Sequence, residues 1–102
     1  MQHFDKILLE TIDEILQNVF DKEISNIIFN YLQKENSNEN RIRTFSDVLP
    51  KIVGVGYTIV EDLILETLYS KFGSTLEHNT GNTFLDYIQD LEKEQAKEVK
   101  KL

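Results

Sequence analysis

The sequence has 102 residues, of which 40% are hydrophobic and 28% charged; it has no cysteine, and its formal net charge is −7. This length predicts one domain over residues 1–102, and the absence of thiols excludes disulfide scaffolds, thiolate metal sites and cysteine nucleophiles. The acidic charge opposes binding to nucleic-acid backbones and to anionic lipids. We expect a cytoplasmic protein without a membrane segment, because no apolar run approaches the roughly 18 residues that a span requires.

The first predicted helix extends from about Phe4 to Phe20. Its apolar side chains recur at intervals of three and four residues, which is the helical period. The resulting stripe is wider than one core seam requires, so we expect the helix to pack on two sides. A homodimer interface would supply the second side. The residues predicted for this interface are Phe4, Leu8, Leu9, Ile12, Ile15, Leu16 and Phe20.

A second apolar stripe, from Ile24 to Leu32, follows Asp21. Aspartate is a good N-cap and favours a new helix there, whereas the lack of a strong breaker between residues 18 and 24 favours one continuous helix. Both interpretations are open from the sequence. The polar residues 35–40 contain no apolar side chain, and they predict a loop.

The middle of the chain predicts a short helix from Thr44 to Val53, with Thr44 as its N-cap. Pro50 should distort this helix or limit it to about two turns, because proline lacks the N–H group and its ring clashes with the preceding turn. A longer helix is predicted over residues 57–72. Three glycines are predicted to form structural turns at the helix ends: Gly54, Gly56 and Gly73.

Residues 73–82 predict a second polar loop, after which Asn82 or Thr83 caps the last helix. The apolar pattern fades after Leu91, so residues 92–102 are predicted to form a solvated helical tail that frays or is ordered by a partner. The whole pattern predicts an all-α fold, a compact bundle of four to five helices.

The sequence predicts no catalytic, metal or cofactor site, and therefore a protein that is not an enzyme. The segment from Gly54 to Gly56 is too incomplete for a phosphate-binding loop and is interpreted as a turn. Neither His3 nor His78 has an acid three residues before it, as carboxylate di-metal helices require. Six acids are therefore interpreted as solvated helix faces: Glu10, Asp13, Glu14, Glu61, Asp62 and Glu66.

One short segment of this acidic chain has a net positive charge, which suggests nucleic-acid binding as an alternative. Residues 40–56 carry Arg41, Arg43 and Lys51 against a single acid, Asp47. However, the helix that would enter a DNA groove, residues 57–72, is itself acidic, and acids facing phosphates weaken binding. The charge pattern therefore argues against a nucleic-acid partner.

Residues 45–73, FSDVLPKIVGVGYTIVEDLILETLYSKFG, resemble a small helical family from ammonia-oxidising archaea, the Nitrosopumilus output domain of the fifth type. Residues 8–32 are similar to it more loosely. The resemblance implies an intracellular output or interaction module of signalling proteins, and it brings no catalytic residues. The matching positions are Phe45, Leu49, Ile52, Gly54, Gly56, Ile59, Glu61, Ile64, Leu68, Tyr69, Lys71 and Gly73.

The leading hypothesis is a non-catalytic helical interaction module that forms a homodimer in a signalling or regulatory complex. Two alternatives stay open. One is a nucleic-acid-binding transcriptional regulator, and the other is a small-molecule or lipid sensor with an apolar pocket between helices.

Overall fold

The computed structural model describes residues 3–100, without the side chains of residues 38 and 98–100. Within this range the fold is all-α, as predicted. Its elements are α1 (His3–Val19), α2 (Lys22–Gln33), α3 (Asn38–Val53), a 3₁₀ turn (Gly54–Gly56), α4 (Tyr57–Lys71) and α5 (Phe84–Lys100). Helix α1 packs mainly on α4, and α2 packs mainly on α3.

The helical conformation is interrupted between α1 and α2, so one continuous helix is the wrong interpretation. Asp21 is the N-cap of α2, and its side chain accepts a hydrogen bond from the backbone N–H of Ile24 at 3.0 Å. The buried Ser25 hydroxyl lies 3.0 Å from the carbonyl oxygens of both Leu16 and Asp21. Ser25 therefore joins the end of α1 to the start of α2.

Helix α3 begins six residues earlier than the sequence predicted, and the loop before it is correspondingly shorter. Ser37, rather than Thr44, is the N-cap, and its hydroxyl accepts from the backbone N–H of Asn40 at 3.2 Å. The polar start of α3 is helical because Ile42 is buried in the core and Arg43 pairs with Glu39 one turn earlier at 2.8 Å.

Pro50 lies inside α3, which is 16 residues long and continues to Val53. The prediction of a helix limited to two turns is therefore wrong. Pro50 lies in the last turn, where its missing N–H removes a single hydrogen bond of the helix. Burial of Leu49 and Phe45 on the core side of α3 holds this turn in place.

The core is one apolar cluster to which all five helices contribute. Phe45 of α3 contacts Phe84 of α5, with ring centroids 5.8 Å apart, and Phe4 stacks on Phe72 at 5.4 Å. The buried hydrophobic residues are Phe4, Leu8, Ile12, Ile15, Leu16, Ile28, Leu32, Ile42, Phe45, Leu49, Val60, Ile64, Leu65, Leu68, Tyr69, Phe84, Ile88 and Leu91.

Gly73 ends α4 as predicted. It has φ 66°, its N–H donates to the Ser70 carbonyl, and the N–H of Ser74 donates to the Tyr69 carbonyl. These two bonds form a Schellman motif, which requires a left-handed residue at the Gly73 position. The turn satisfies two carbonyls that the end of α4 would leave without a donor.

Thr83 caps α5, which resolves the choice between Asn82 and Thr83. The Asp86 N–H donates to the Thr83 hydroxyl at 3.1 Å, and the Thr83 N–H donates to the Asp86 carboxylate at 2.9 Å. These bonds lower the pKa of Asp86 below its ordinary value. Helix α5 continues to Lys100, so most of the predicted tail is helical; residues 101–102 lie outside the described residues, and fraying stays a prediction.

Candidate functional site

The surface predicted for a homodimer lies mostly inside the protein. Five of its seven residues, Phe4, Leu8, Ile12, Ile15 and Leu16, belong to the buried core of the chain itself. The wide stripe of α1 is explained by packing within the bundle, so these five residues offer no surface to a second copy. Leu9 and Phe20, which complete the set, are half-buried.

An exposed apolar stripe lies instead where α3 meets α4. Val55 is 95% exposed and Ile59 is 65% exposed, and Leu63 and Ile52 extend the exposed surface at either side. Ile59 and Leu63 are four residues apart in α4, so they lie on one face of that helix, and Val55 lies in the 3₁₀ turn that leads into it. We refer to Ile52, Val55, Ile59 and Leu63 as the apolar stripe. The apolar residues of α4 cover more than one face, so Val60 and Ile64 reach the core while Ile59 and Leu63 stay exposed.

The structural turn predicted at Gly54 and Gly56 positions this stripe. Gly54 ends α3 with φ 80°, and the 3₁₀ turn from Gly54 to Gly56 leads directly into α4. The turn places Val55 outside the core, almost fully in water. Clustered apolar side chains left in water are typical of an interaction surface.

A second exposed apolar group lies on α2. Ile27 and Tyr31 are exposed and one helical turn apart, with 46% of Ile27 in contact with solvent. The Lys34 ammonium group lies 5.7 Å from the centre of the Tyr31 ring and partly covers it. This group is smaller and less exposed than the apolar stripe.

Two cavities of comparable size differ in chemistry. One, of about 230 Å³, lies between α1, α2 and α3 and is lined by Leu9, Phe29, Leu32, Gln33 and Arg41. The other, of about 280 Å³, lies between α3 and the start of α5 and has a polar lining: Arg43, Ser46, Asp47, Thr83 and Leu85. The first pocket is lined mainly by apolar side chains, with Gln33 and one cation, Arg41. The second pocket contains both a cation, Arg43, and an acid, Asp47.

Glu61 on α4 is the acid whose environment differs most from the predicted solvated face. Burial, and to a lesser extent the charge of Asp62, raises the pKa of the Glu61 carboxyl to about 7, although a hydrogen bond from Ser46 opposes the shift. The sequence carried no signal of this raised pKa, because the burial that causes it comes from the packing of helices and not from the residues next to Glu61. Glu61, Asp62 and Thr58 line a small cavity of about 120 Å³ against the start of α5.

The raised pKa of Glu61 predicts a pH-dependent stability. The pKa of Glu61 in the folded state, about 7, exceeds its ordinary value of 4.5, so the folded state holds the proton more tightly. The free energy of unfolding should therefore fall as pH rises from about 4.5 to about 7 and then level off. Because Glu61 is half exposed, solvent screening reduces the effect to about 1 kcal/mol.

Glu61→Gln should therefore stabilise the protein by about 1 kcal/mol near pH 8 and have little effect near pH 4.5. Urea unfolding of both proteins across this pH range measures the difference. Glu66→Gln, an exposed acid on the same helix, controls for the loss of one negative charge. An effect of Glu61→Gln that is independent of pH would contradict the assignment.

Three other polar residues named in the sequence analysis have structural partners. Glu14 pairs with Lys71 at 3.4 Å, Asp13 accepts from Gln17, and Arg43 pairs with Glu39. The residues that the structure describes contain no group of three histidine or carboxylate side chains placed to hold a metal ion. His78 is exposed in the loop before α5, beside the Tyr87 ring at 6.4 Å.

No family model matches the chain, and no curated protein or solved structure is significantly similar to it. The resemblance of residues 45–73 to the output-domain family gains no support from these comparisons. Within residues 3–100, no helix is long and apolar enough to cross a membrane. A functional assignment therefore depends on the surfaces and cavities of the bundle.

Proposed function

We propose that this protein is a non-catalytic interaction module that self-associates through the apolar stripe of Ile52, Val55, Ile59 and Leu63. The observation that carries the proposal is the exposure of these four side chains, above all Val55 and Ile59, at the junction of α3 and α4, whose other faces are in the core. Burial of apolar area against a second copy lowers the free energy by about 25 cal/mol per Å².

The proposed partner is a second copy because homodimers with twofold symmetry are the commonest soluble oligomers, and the same stripe then forms both sides of the interface. The stripe is short compared with stable interfaces, which bury about 800 Å² on each partner. We therefore expect a reversible monomer–dimer equilibrium with a micromolar or weaker dissociation constant.

The acidic charge predicts the direction in which salt changes the self-association. Each copy carries a net charge of −7, and Asp62 and Glu66 are exposed on α4 close to the stripe. Like charges repel when two copies approach, and salt screens this repulsion. Association should therefore strengthen as salt is added, whereas a dimer held by ion pairs would weaken.

Sedimentation over a range of protein concentrations tests the proposal. Ile59→Asp should weaken dimerisation at least about tenfold, because it places a carboxylate in the apolar interface. Ile27→Asp introduces the same change at a comparable exposed isoleucine on α2 and should leave the equilibrium unchanged. A chain that stays monomeric at all concentrations would overturn the proposal, as would a dimer that Ile27→Asp dissociates and Ile59→Asp does not.

A further inference from the structure

The pocket between α1, α2 and α3 has an apolar interior and a single cation. Leu32 is almost completely buried, and Leu9 and Phe29 are half-buried residues of the same lining. Gln33 and Arg41 supply the polar part of the lining. Apolar walls with a few convergent polar groups are the usual composition of small-molecule sites.

Arg41 is available to a ligand because the two acids that precede it most closely in the chain have other partners. Glu39 pairs with Arg43 at 2.8 Å, and the Glu35 carboxylate accepts from the Thr44 hydroxyl at 3.1 Å. Among the side chains that the structure describes, the ion pairs are Arg43–Glu39 and Lys71–Glu14, and neither includes Arg41. Its guanidinium group therefore lines the pocket without a carboxylate partner.

The pocket is partly open to solvent, and its volume of about 230 Å³ limits the part of a ligand that it can enclose. A dry cavity of about 150 Å³ holds a benzene molecule, and pockets for drug-sized ligands begin at about 300 Å³. The pocket therefore suits a single ring or a short aliphatic chain. A guanidinium group binds a carboxylate through two parallel hydrogen bonds.

We propose that this pocket binds a small amphipathic carboxylate, with the carboxylate on Arg41 and the hydrocarbon part against Leu9, Phe29 and Leu32. Gln33 lines the same pocket, and its amide group has N–H donors for a further hydrogen bond to the carboxylate. The site is separate from the apolar stripe and does not depend on self-association.

Titration of the ¹⁵N-labelled full-length chain with sodium hexanoate, followed by amide NMR shifts, tests the proposal. The shifts should saturate and should concentrate around the pocket residues of α1, α2 and α3. The alcohol 1-hexanol has the same chain length and no charge. Hexanol should bind at least about tenfold more weakly than hexanoate, because a charge-assisted hydrogen bond contributes about 1.5–3 kcal/mol.

Two matched variants separate the pocket from general electrostatics. Arg41→Gln should weaken hexanoate binding about tenfold or more. Lys51→Gln removes the same charge at an exposed side chain of α3 and should leave binding unchanged. Leu9→Glu should abolish hexanoate binding, because it places a competing carboxylate at the pocket wall beside Arg41.

Three results would overturn the proposal. One is the absence of saturable shifts with hexanoate. The second is equal weakening by Arg41→Gln and Lys51→Gln, and the third is binding of hexanol as tight as that of hexanoate. Circular dichroism and thermal unfolding of each variant verify that it is folded as the wild type is.

Discussion

Phe45→Ala should lower the free energy of unfolding by about 3–5 kcal/mol, because the substitution removes a large buried ring and leaves a cavity. Phe45 is fully buried at the centre of α3, and its ring contacts Phe84 of α5. A domain of this size has a total stability of about 5–15 kcal/mol. The variant should therefore lose a large share of its stability.

Urea unfolding at 25 °C measures this loss through the shift of the midpoint at constant slope. Val55→Ala is the matched control, because Val55 is 95% exposed and its truncation should change stability by less than about 0.5 kcal/mol. A Phe45→Ala protein within about 1 kcal/mol of the wild type would show that the α3–α5 contact does not contribute to the core.

Gly54→Ala should destabilise the protein by about 1–3 kcal/mol, whereas Gly56→Ala should be neutral or stabilising by about 0.4–1 kcal/mol. Gly54 has φ 80° and ψ −149°, a conformation that residues with a Cβ rarely adopt, whereas Gly56 has φ −74° and ψ 0°. A Cβ at Gly54 would meet no atom within 4 Å, so its cost is conformational and not a clash.

Thermal and urea unfolding measure the stability of the two variants. The same substitution, glycine to alanine, should lower the stability at Gly54 and leave it unchanged or raise it at Gly56. A Cβ at Gly56 would lie 3.9 Å from a methyl group of Val53, an ordinary contact. The alanine there restricts the unfolded chain and requires no change in the fold. Equal destabilisation by both substitutions would show that the turn depends on space and not on backbone conformation.

The local patterns predicted most of the helices because apolar periodicity and capping residues act over short distances. The Gly54–Gly56 turn and Gly73 lie at helix ends, as the sequence indicated, whereas the break at Asp21 was one of two interpretations that the sequence left open. The start of α3 was missed because its first turns are polar, and only the burial of Ile42 in the assembled core shows why they are helical. The effect of Pro50 on the length of α3 was overestimated, because this effect depends on where the proline lies in the complete helix.

The sequence by itself determined that the chain is all-α, acidic and without thiol chemistry, because composition and helical periodicity do not depend on how helices pack. Which apolar residues face water was decided by the tertiary structure. Leu8 and Ile12 lie in the core, and Val55 and Ile59 remain exposed, although all four are apolar residues within helical patterns. The environments of Glu61 and Arg41 were also decided by packing, since burial and charge partners come from residues distant in the chain.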